Sequence, residues 1–312
     1  MRAATIAAVL ALAVAAALAT TAGGRPVRGA PHCRIFPKSN QWNQRVDSLP
    51  LASNSAAIVR SIGTGKGLHA DFGSGTYNGG PIGIPFTTVS RKQHRSKVSF
   101  DYADESDKGP YPIPSNVPIE GGRQSGGDRH ALIVDRGRCR LYELYSLYPP
   151  SGGHGWTAGS GAIFNLKSNR VRHAGWTSAD AAGLPILPGL ARYEDLRHGG
   201  IDHALRFTVR RTRRAYIYPA RHQASSLTDP DLPAMGQRLR LRAGFDVSGF
   251  PKHARAVLTA LKRYGMIVAD NGSDWYITGA PSSHWNNDAL ATLSRVHGSE
   301  FEVVNTSSLP RP

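Results

Sequence analysis

The residue types that suit acid–base chemistry concentrate between Gly175 and His222, the densest mixture of Asp, His, Arg and aromatic side chains in the chain. Within it DHALRFTV (202–209) alternates. Asp202, Ala204, Arg206 and Thr208 fall on one side of an expected strand, and His203, Leu205, Phe207 and Val209 on the other. AYIYPARH (215–222) also alternates, with Tyr216, Tyr218, Ala220 and His222 on one face. Arg210, Arg211, Arg213 and Arg214 lie between the two segments, where a hairpin loop would be. Paired, the segments would carry Asp202, Arg206, Tyr218 and His222 on one wall of a polar cleft. The competing reading is an Asp202–Arg206 pair on a solvated face.

A further carboxylate stands in CRLYELYSLY (139–148), where Cys139, Leu141, Glu143, Tyr145 and Leu147 share a face. Apolar neighbours raise the pKa of a carboxyl group, which suits a general acid; a Glu satisfied by an Arg or a backbone donor is the competing reading. Cleavage of a glycosidic bond needs two carboxyl groups facing each other across it. The expected catalytic set is Glu143 as acid, Asp202 as base or nucleophile, and His222. His203, Arg206, Tyr218, Arg221, Trp176 and Trp275 are the expected substrate-binding residues, offering hydrogen bonds to hydroxyls and faces on which sugar rings stack.

The elements that must position these groups are mostly short strands. Ala131–Val134 and Cys139–Tyr148 flank Asp135-Arg136-Gly137-Arg138, a hairpin signal. Further strands are expected at 98–103, 239–247, 266–269, 275–278 and 301–304. The clearest helix follows Ser248. Its Pro251 sits in the first turn, Ala254, Val257, Leu258, Leu261 and Tyr264 recur at helical spacing, and Gly265 ends it. A short helix is expected after Asn54 and another after Asn286 or Asn287. DESDKGPYPIPSNVPIEGG (104–122) reads as a long loop, a lid or cleft wall with Tyr111, Asn116 and Glu120 as lining residues. Asp270-Asn271-Gly272-Ser273 reads as a turn. The fold class expected is mainly β, with a two-sheet β-sandwich or jelly-roll-like core and two or three decorating helices.

The start, MRAATIAAVLALAVAAALATTAGG, has one Arg, a short apolar run and small residues, the pattern of a secretory signal peptide over residues 1–22. The expected organisation continues with a linker at 23–31 and a single β-sandwich-like domain at 32–312. This implies a secreted, extracellular protein with no membrane span once the signal is removed. Cys33 and Cys139 are the two cysteines, so an exported chain has one disulfide to make.

The formal net charge is +16, from 38 Lys+Arg against 22 Asp+Glu. Such a balance favours polyanionic partners, and among them an acidic polysaccharide. There is no nucleic-acid-binding motif, so specific DNA or RNA recognition is not expected. No zinc signature, phosphate-cradling loop or nucleophile elbow is present, and no cofactor is called for. A structural calcium site built from Asp side chains and loop carbonyls would leave no sequence signature.

The strings LHADFGSG, PYPIPSNVPIEGG, GWTSADAAGLPILPGL, YPARH and ALKRYGMIVADNGSDWYITGAP resemble an uncharacterised family of exported bacterial proteins, over nearly the whole stretch from Cys33 to Val304. That resemblance implies export and brings no activity with it. Three functions then compete: a glycoside hydrolase working through a carboxylate pair; a polysaccharide lyase in which Arg206 or Arg221 neutralises a uronate while Tyr218 with His203 or His222 moves protons; and a non-catalytic glycan- or cell-wall-binding protein.

Overall fold

The computed structural model describes residues 23–152 and 155–311. The expected signal peptide lies outside the described residues. The fold is sheet-rich, and ten strands form two larger sheets. The first has four strands: β2 (Phe86–Val89), β3 (Ala131–Asp135), β4 (Arg140–Tyr145) and β5 (Ser160–Asn165), in the order β5-β4-β3-β2. The second has six: β1 (His69–Asp71), β6 (Leu205–Val209), β7 (Arg238–Leu241), β8 (Met266–Asn271), β9 (Tyr276–Thr278) and β10 (Phe301–Val303), in the order β10-β7-β8-β6-β9-β1.

Both sheets are mixed. β2 runs parallel to β3, β6 to β8, and β9 to β1, while the remaining neighbours are antiparallel. A jelly roll is built from antiparallel strands, so the expectation holds at the level of a sheet-rich fold and the topology differs. The described residues contain four α-helices: α1 (Ser55–Ile62), α2 (Tyr193–Arg197), α3 (Lys252–Arg263) and α4 (Asn287–Ala291). In α3 the residues at helical spacing, Ala254, Val257, Leu258 and Leu261, are all buried. Gly265, at φ 68°, ends the helix as its spacing predicted. Ser248 does not cap it: the hydroxyl donates to Asp246 Oδ2 at 2.9 Å, and Pro251 holds the N-cap position.

The four-stranded sheet is buried on both faces. Ala131, Ile133, Tyr142 and Leu144 pack against the Tyr111–Ile119 segment, whereas Leu132, Val134, Leu141, Ala162 and Phe164 join the main core with residues of the six-stranded sheet. Segment 177–192 is wedged into this main core and is hydrogen-bonded to both sheets. Ser160 Oγ of β5 donates to the Ser178 carbonyl (2.6 Å), the Ala182 N–H donates to the Ala269 carbonyl of β8 (3.0 Å), and the Ala191 N–H donates to the Thr278 carbonyl of β9 (3.0 Å).

Two expectations are corrected. Residues 23–31 are not a free linker. Pro26–Val27 pairs with Ala30–Arg34, and Val27 and Ala30 are buried in the core. Gly29, at φ 77°, makes the turn between them in a conformation that favours glycine. Residues 202–209 and 215–222 are not a hairpin. β6 begins at Leu205 and is paired on both edges, by β8 and β9, so no edge remains for 215–222. That segment makes one isolated bridge, Tyr216 to Met235, and turns at Pro219, which has no N–H to give a ladder.

The disulfide is formed between Cys33 and Cys139, 106 residues apart in sequence. Closing so long a loop restricts the unfolded chain, and replacing both cysteines by Ser is expected to cost about 2–4 kcal/mol, read as a lower urea midpoint. An unchanged midpoint would show that the link adds nothing to stability.

Candidate functional site

A cleft of about 330 Å³ opens where the two sheets, the wedge segment and two loops meet. Tyr102 and Glu105 come from the N-cap and the end of the Ala103–Glu105 3-10 turn at the start of the long polar loop, Asp128 from the approach to β3, Tyr145 from the end of β4, Asp270 from near the end of β8, and His222 from the turn after Pro219. Thr177, Ser178, Ala179 and Ala181 of the wedge also line it, with Ser160, Ala224 and Asn271.

Asp270 stands next to the end of β8, after four buried residues, Met266 to Ala269. Its side chain is 24% exposed, enough to face the cleft while protein surrounds the rest of it. Burial, followed by the nearby Asp180 charge, pushes its pKa up to about 7. Arg206 opposes this shift from 3.3 Å, but that guanidinium is mainly committed to Asp180, which it grips with Nε (2.8 Å) and Nη2 (2.9 Å). Its remaining arm donates to Thr278 Oγ1 (2.8 Å). Asp180 and Arg206 are buried, so this forked pair pins the wedge to the middle of the six-stranded sheet.

His222 is held by its Nδ1, 2.8 Å from the Ala181 carbonyl. A carbonyl only accepts, so Nδ1 donates here, which leaves Nε2 for other contacts. That Nε2 lies 4.0 Å from Glu105 Oε2, which also accepts from the Thr177 N–H at 2.8 Å. Gly183 makes this approach possible. Its φ is 69°, and a Cβ there would stand 2.5 Å from the Trp176 carbonyl and 3.5 Å from the His222 nitrogen.

Beneath the wedge, His130 is buried between Glu120 Oε2 (2.5 Å from Nδ1) and the Ala179 carbonyl (2.9 Å from Nε2). Both partners accept, so both ring nitrogens donate and the ring is an imidazolium. Burial alone would lower its pKa, but the Glu120 charge and hydrogen bond outweigh that and hold it at about 9. Glu120, Asp128 and His130 each bring one ligand-type atom within 4.8 Å of the others.

The residues singled out from the sequence are dispersed. His222 alone among them lines the cleft. Glu143 is fully buried, and its oxygens accept from the Ile186 (2.8 and 3.0 Å) and Leu187 (2.9 Å) N–H groups that open the Leu187–Gly189 3-10 turn. Burial pushes its pKa up to about 7 against those donors, and the side chain has no exposure to solvent. Asp202 is 39% exposed and pairs with Arg25 at 2.9 Å, away from both Glu143 and the cleft lining. His203 is buried between Asp195 and the Ala204 carbonyl. Trp275 is a core residue whose Nε1 donates to the Gly63 carbonyl. Tyr218 lines a separate narrow pocket, Arg221 Nε donates to the Arg172 carbonyl, and Trp176 borders a neighbouring groove.

Glu143 therefore reads as a carboxyl group that ties the four-stranded sheet to the wedge. Glu143→Gln keeps the shape but turns an NH₂ toward backbone donors. A loss of about 1–3 kcal/mol in stability is expected, measured by urea unfolding, with turnover per folded molecule unchanged.

No protein-family model matches this chain, and no curated protein or solved structure does either. The cleft is therefore read from its own chemistry. Asp270, Glu105 and Asp128 were missed in the sequence because each stands in a stretch that reads as turn or loop. The one local signal was an acid directly after the buried run Met266–Ala269.

Proposed function

We propose that the protein is an exported glycoside hydrolase, with Asp270 as general acid and Glu105 as the partner carboxylate. The observation that carries this reading is a single cleft lined by carboxyl groups from separate elements, Glu105, Asp128 and Asp270, together with Tyr102 and Tyr145. In such a reaction the Asp270 proton goes to the glycosidic oxygen as its bond to the anomeric carbon breaks. Water supplies the new hydroxyl. Glu105 either accepts the proton of that water or first attacks the anomeric carbon and is then released by water. His222 stands beside Glu105 as an orienting group. The disulfide supports export, since such links persist in oxidising compartments. Among the described residues no helix is long and apolar enough to cross a membrane.

Asp270 has to be protonated to act, and its pKa is raised to about 7, so kcat is expected to fall as pH rises above that value. Stability follows the same sign: the contribution from this raised carboxyl is complete below its ordinary value and is lost as pH rises through about 7. A pH–rate profile in which activity instead rises through this range would exclude Asp270 as the acid.

One observation favours a second reading. His222 stands with its Nε2 4.0 Å from Glu105 Oε2 in a cleft that also holds Tyr102 and Tyr145, residue types suited to proton abstraction and return in an elimination from a uronate. Purified protein acting on a panel of neutral and acidic polysaccharides separates the two. Hydrolysis releases reducing ends without near-ultraviolet absorbance, whereas elimination produces both. Retained binding with neither signal would make the protein a glycan-binding one.

A further inference from the structure

The cleft has no Lys or Arg in its lining, in a chain that carries 38 of them, yet two cation-rich surfaces border it. The first is a groove of about 440 Å³ lined by Arg140, Arg170, Arg172, His173 and Trp176. It joins the cleft through chain neighbours: Trp176 lines the groove and Thr177 the cleft, Asp107 the groove and Glu105 the cleft. Its one carboxylate, Asp107, is neutralised by the buried Arg172 at 2.6 Å. Arg140 and Arg170 are exposed and take part in no ion pair among the described residues. The half-exposed Trp176 is braced by the His173 ring at 4.9 Å and by the Arg172 guanidinium at 5.5 Å, so it is held as a flat apolar face beside free positive charge.

The second surface is the Arg210–Arg214 loop. Thr212 Oγ1 donates to Asn271 Oδ1 at 3.2 Å, and Asn271 itself lines the cleft. Arg210, Arg211, Arg213 and Arg214 form no ion pair among the described residues, and Arg213 Nε is buried without a hydrogen-bond partner. Four arginines that make no ion pair among the described residues thus belong to a loop tied to a cleft residue.

We propose that these two surfaces are subsites for an extended acidic glycan, whose anionic groups meet Arg140 and Arg170 in the groove and the Arg210–Arg214 loop beyond Asn271, while Trp176 stacks on a sugar ring. A guanidinium offers paired donors that match a carboxylate or a sulfate, and the cleft lining itself, with no Lys or Arg, offers an anionic sugar no such partner, so these donors lie at the bordering surfaces. This deepens the glycan-cleaving reading and rests on its choice of cleft.

The test uses the intact chain carrying Asp270→Asn, so that turnover does not interfere. Calorimetric titration with a defined-length oligogalacturonate, a sulfated glycosaminoglycan fragment and a neutral cello-oligosaccharide of equal length is the measurement. At least one acidic ligand should bind about tenfold or more tightly than the neutral one, with affinity falling as salt is raised. The carboxylate and sulfate ligands distinguish the two sources of charge. Arg140→Gln/Arg170→Gln and Arg211→Gln/Arg214→Gln should each weaken it several-fold, while Arg255→Gln/Lys262→Gln on α3 should not. Equal binding of the neutral ligand, equal losses in all three double variants, or equally tight binding of single-stranded DNA would overturn the proposal. Acidic-ligand binding with no turnover of any polysaccharide by the unsubstituted protein would count against the hydrolase alone; turnover by that protein restricted to neutral glycans would count against the acidic subsites alone.

Discussion

Asp270→Asn is expected to lower kcat on a hydrolysed polysaccharide by about 10²–10⁴-fold, the range that a positioned general acid supplies. The amide keeps the size of the side chain but has no proton to give the leaving oxygen. It also removes a carboxyl group held out of its ordinary range by burial and by Asp180, so folding stability near neutral pH should hold or rise. Loss of rate with retained stability separates a catalytic role from a structural one. A leaving group that needs no protonation should recover much of the lost rate, because the defect lies in proton donation. If the variant cleaves every substrate as fast as the natural protein, Asp270 is not the acid.

Arg206→Met should destabilise the fold by about 3–5 kcal/mol, since it leaves the fully buried Asp180 carboxylate without its partner. The guanidinium also bonds Thr278 and Asp270, so the loss loosens the wedge, β9 and the cleft wall together. The pairing term is isolated by the double variant Arg206→Met/Asp180→Leu, which removes both charges and should regain part of the stability. Urea unfolding of the two variants is the measurement. A double variant no more stable than Arg206→Met would show that packing of the long side chain, rather than the stranded charge, dominates.

What was legible in the sequence is what local pattern controls. The apolar spacing of Ala254, Val257, Leu258 and Leu261 predicted a buried helix face, the hairpin around Arg136 and Gly137 lies between β3 and β4, and Asn286 caps α4 through the Ala289 N–H. Two cysteines left one intramolecular pairing, and it is made. What was not legible depends on which strand lies beside which. Residues 215–222 alternate as a strand does, but β6 had already found partners some sixty residues later in the chain, at Met266–Asn271 and Tyr276–Thr278. Glu143 sits among apolar neighbours as the alternation required. Whether that meant a reactive acid or a satisfied one turned on the Ile186 and Leu187 N–H groups, over forty residues away. Asp270 and Glu105 show the converse. Their own surroundings in sequence read as turn and loop, and only the docking of wedge and sheets brings them to one cleft.

The central claim is that chemistry occurs in the cleft of Asp270 and Glu105 and not at Glu143. The most direct test is reducing-end release by the natural protein, Asp270→Asn and Glu143→Gln, assayed side by side on the polysaccharide panel and normalised to folded protein. The account predicts turnover by the natural protein and by Glu143→Gln, and its near-complete loss in Asp270→Asn. Activity that survives Asp270→Asn and vanishes with Glu143→Gln would contradict it.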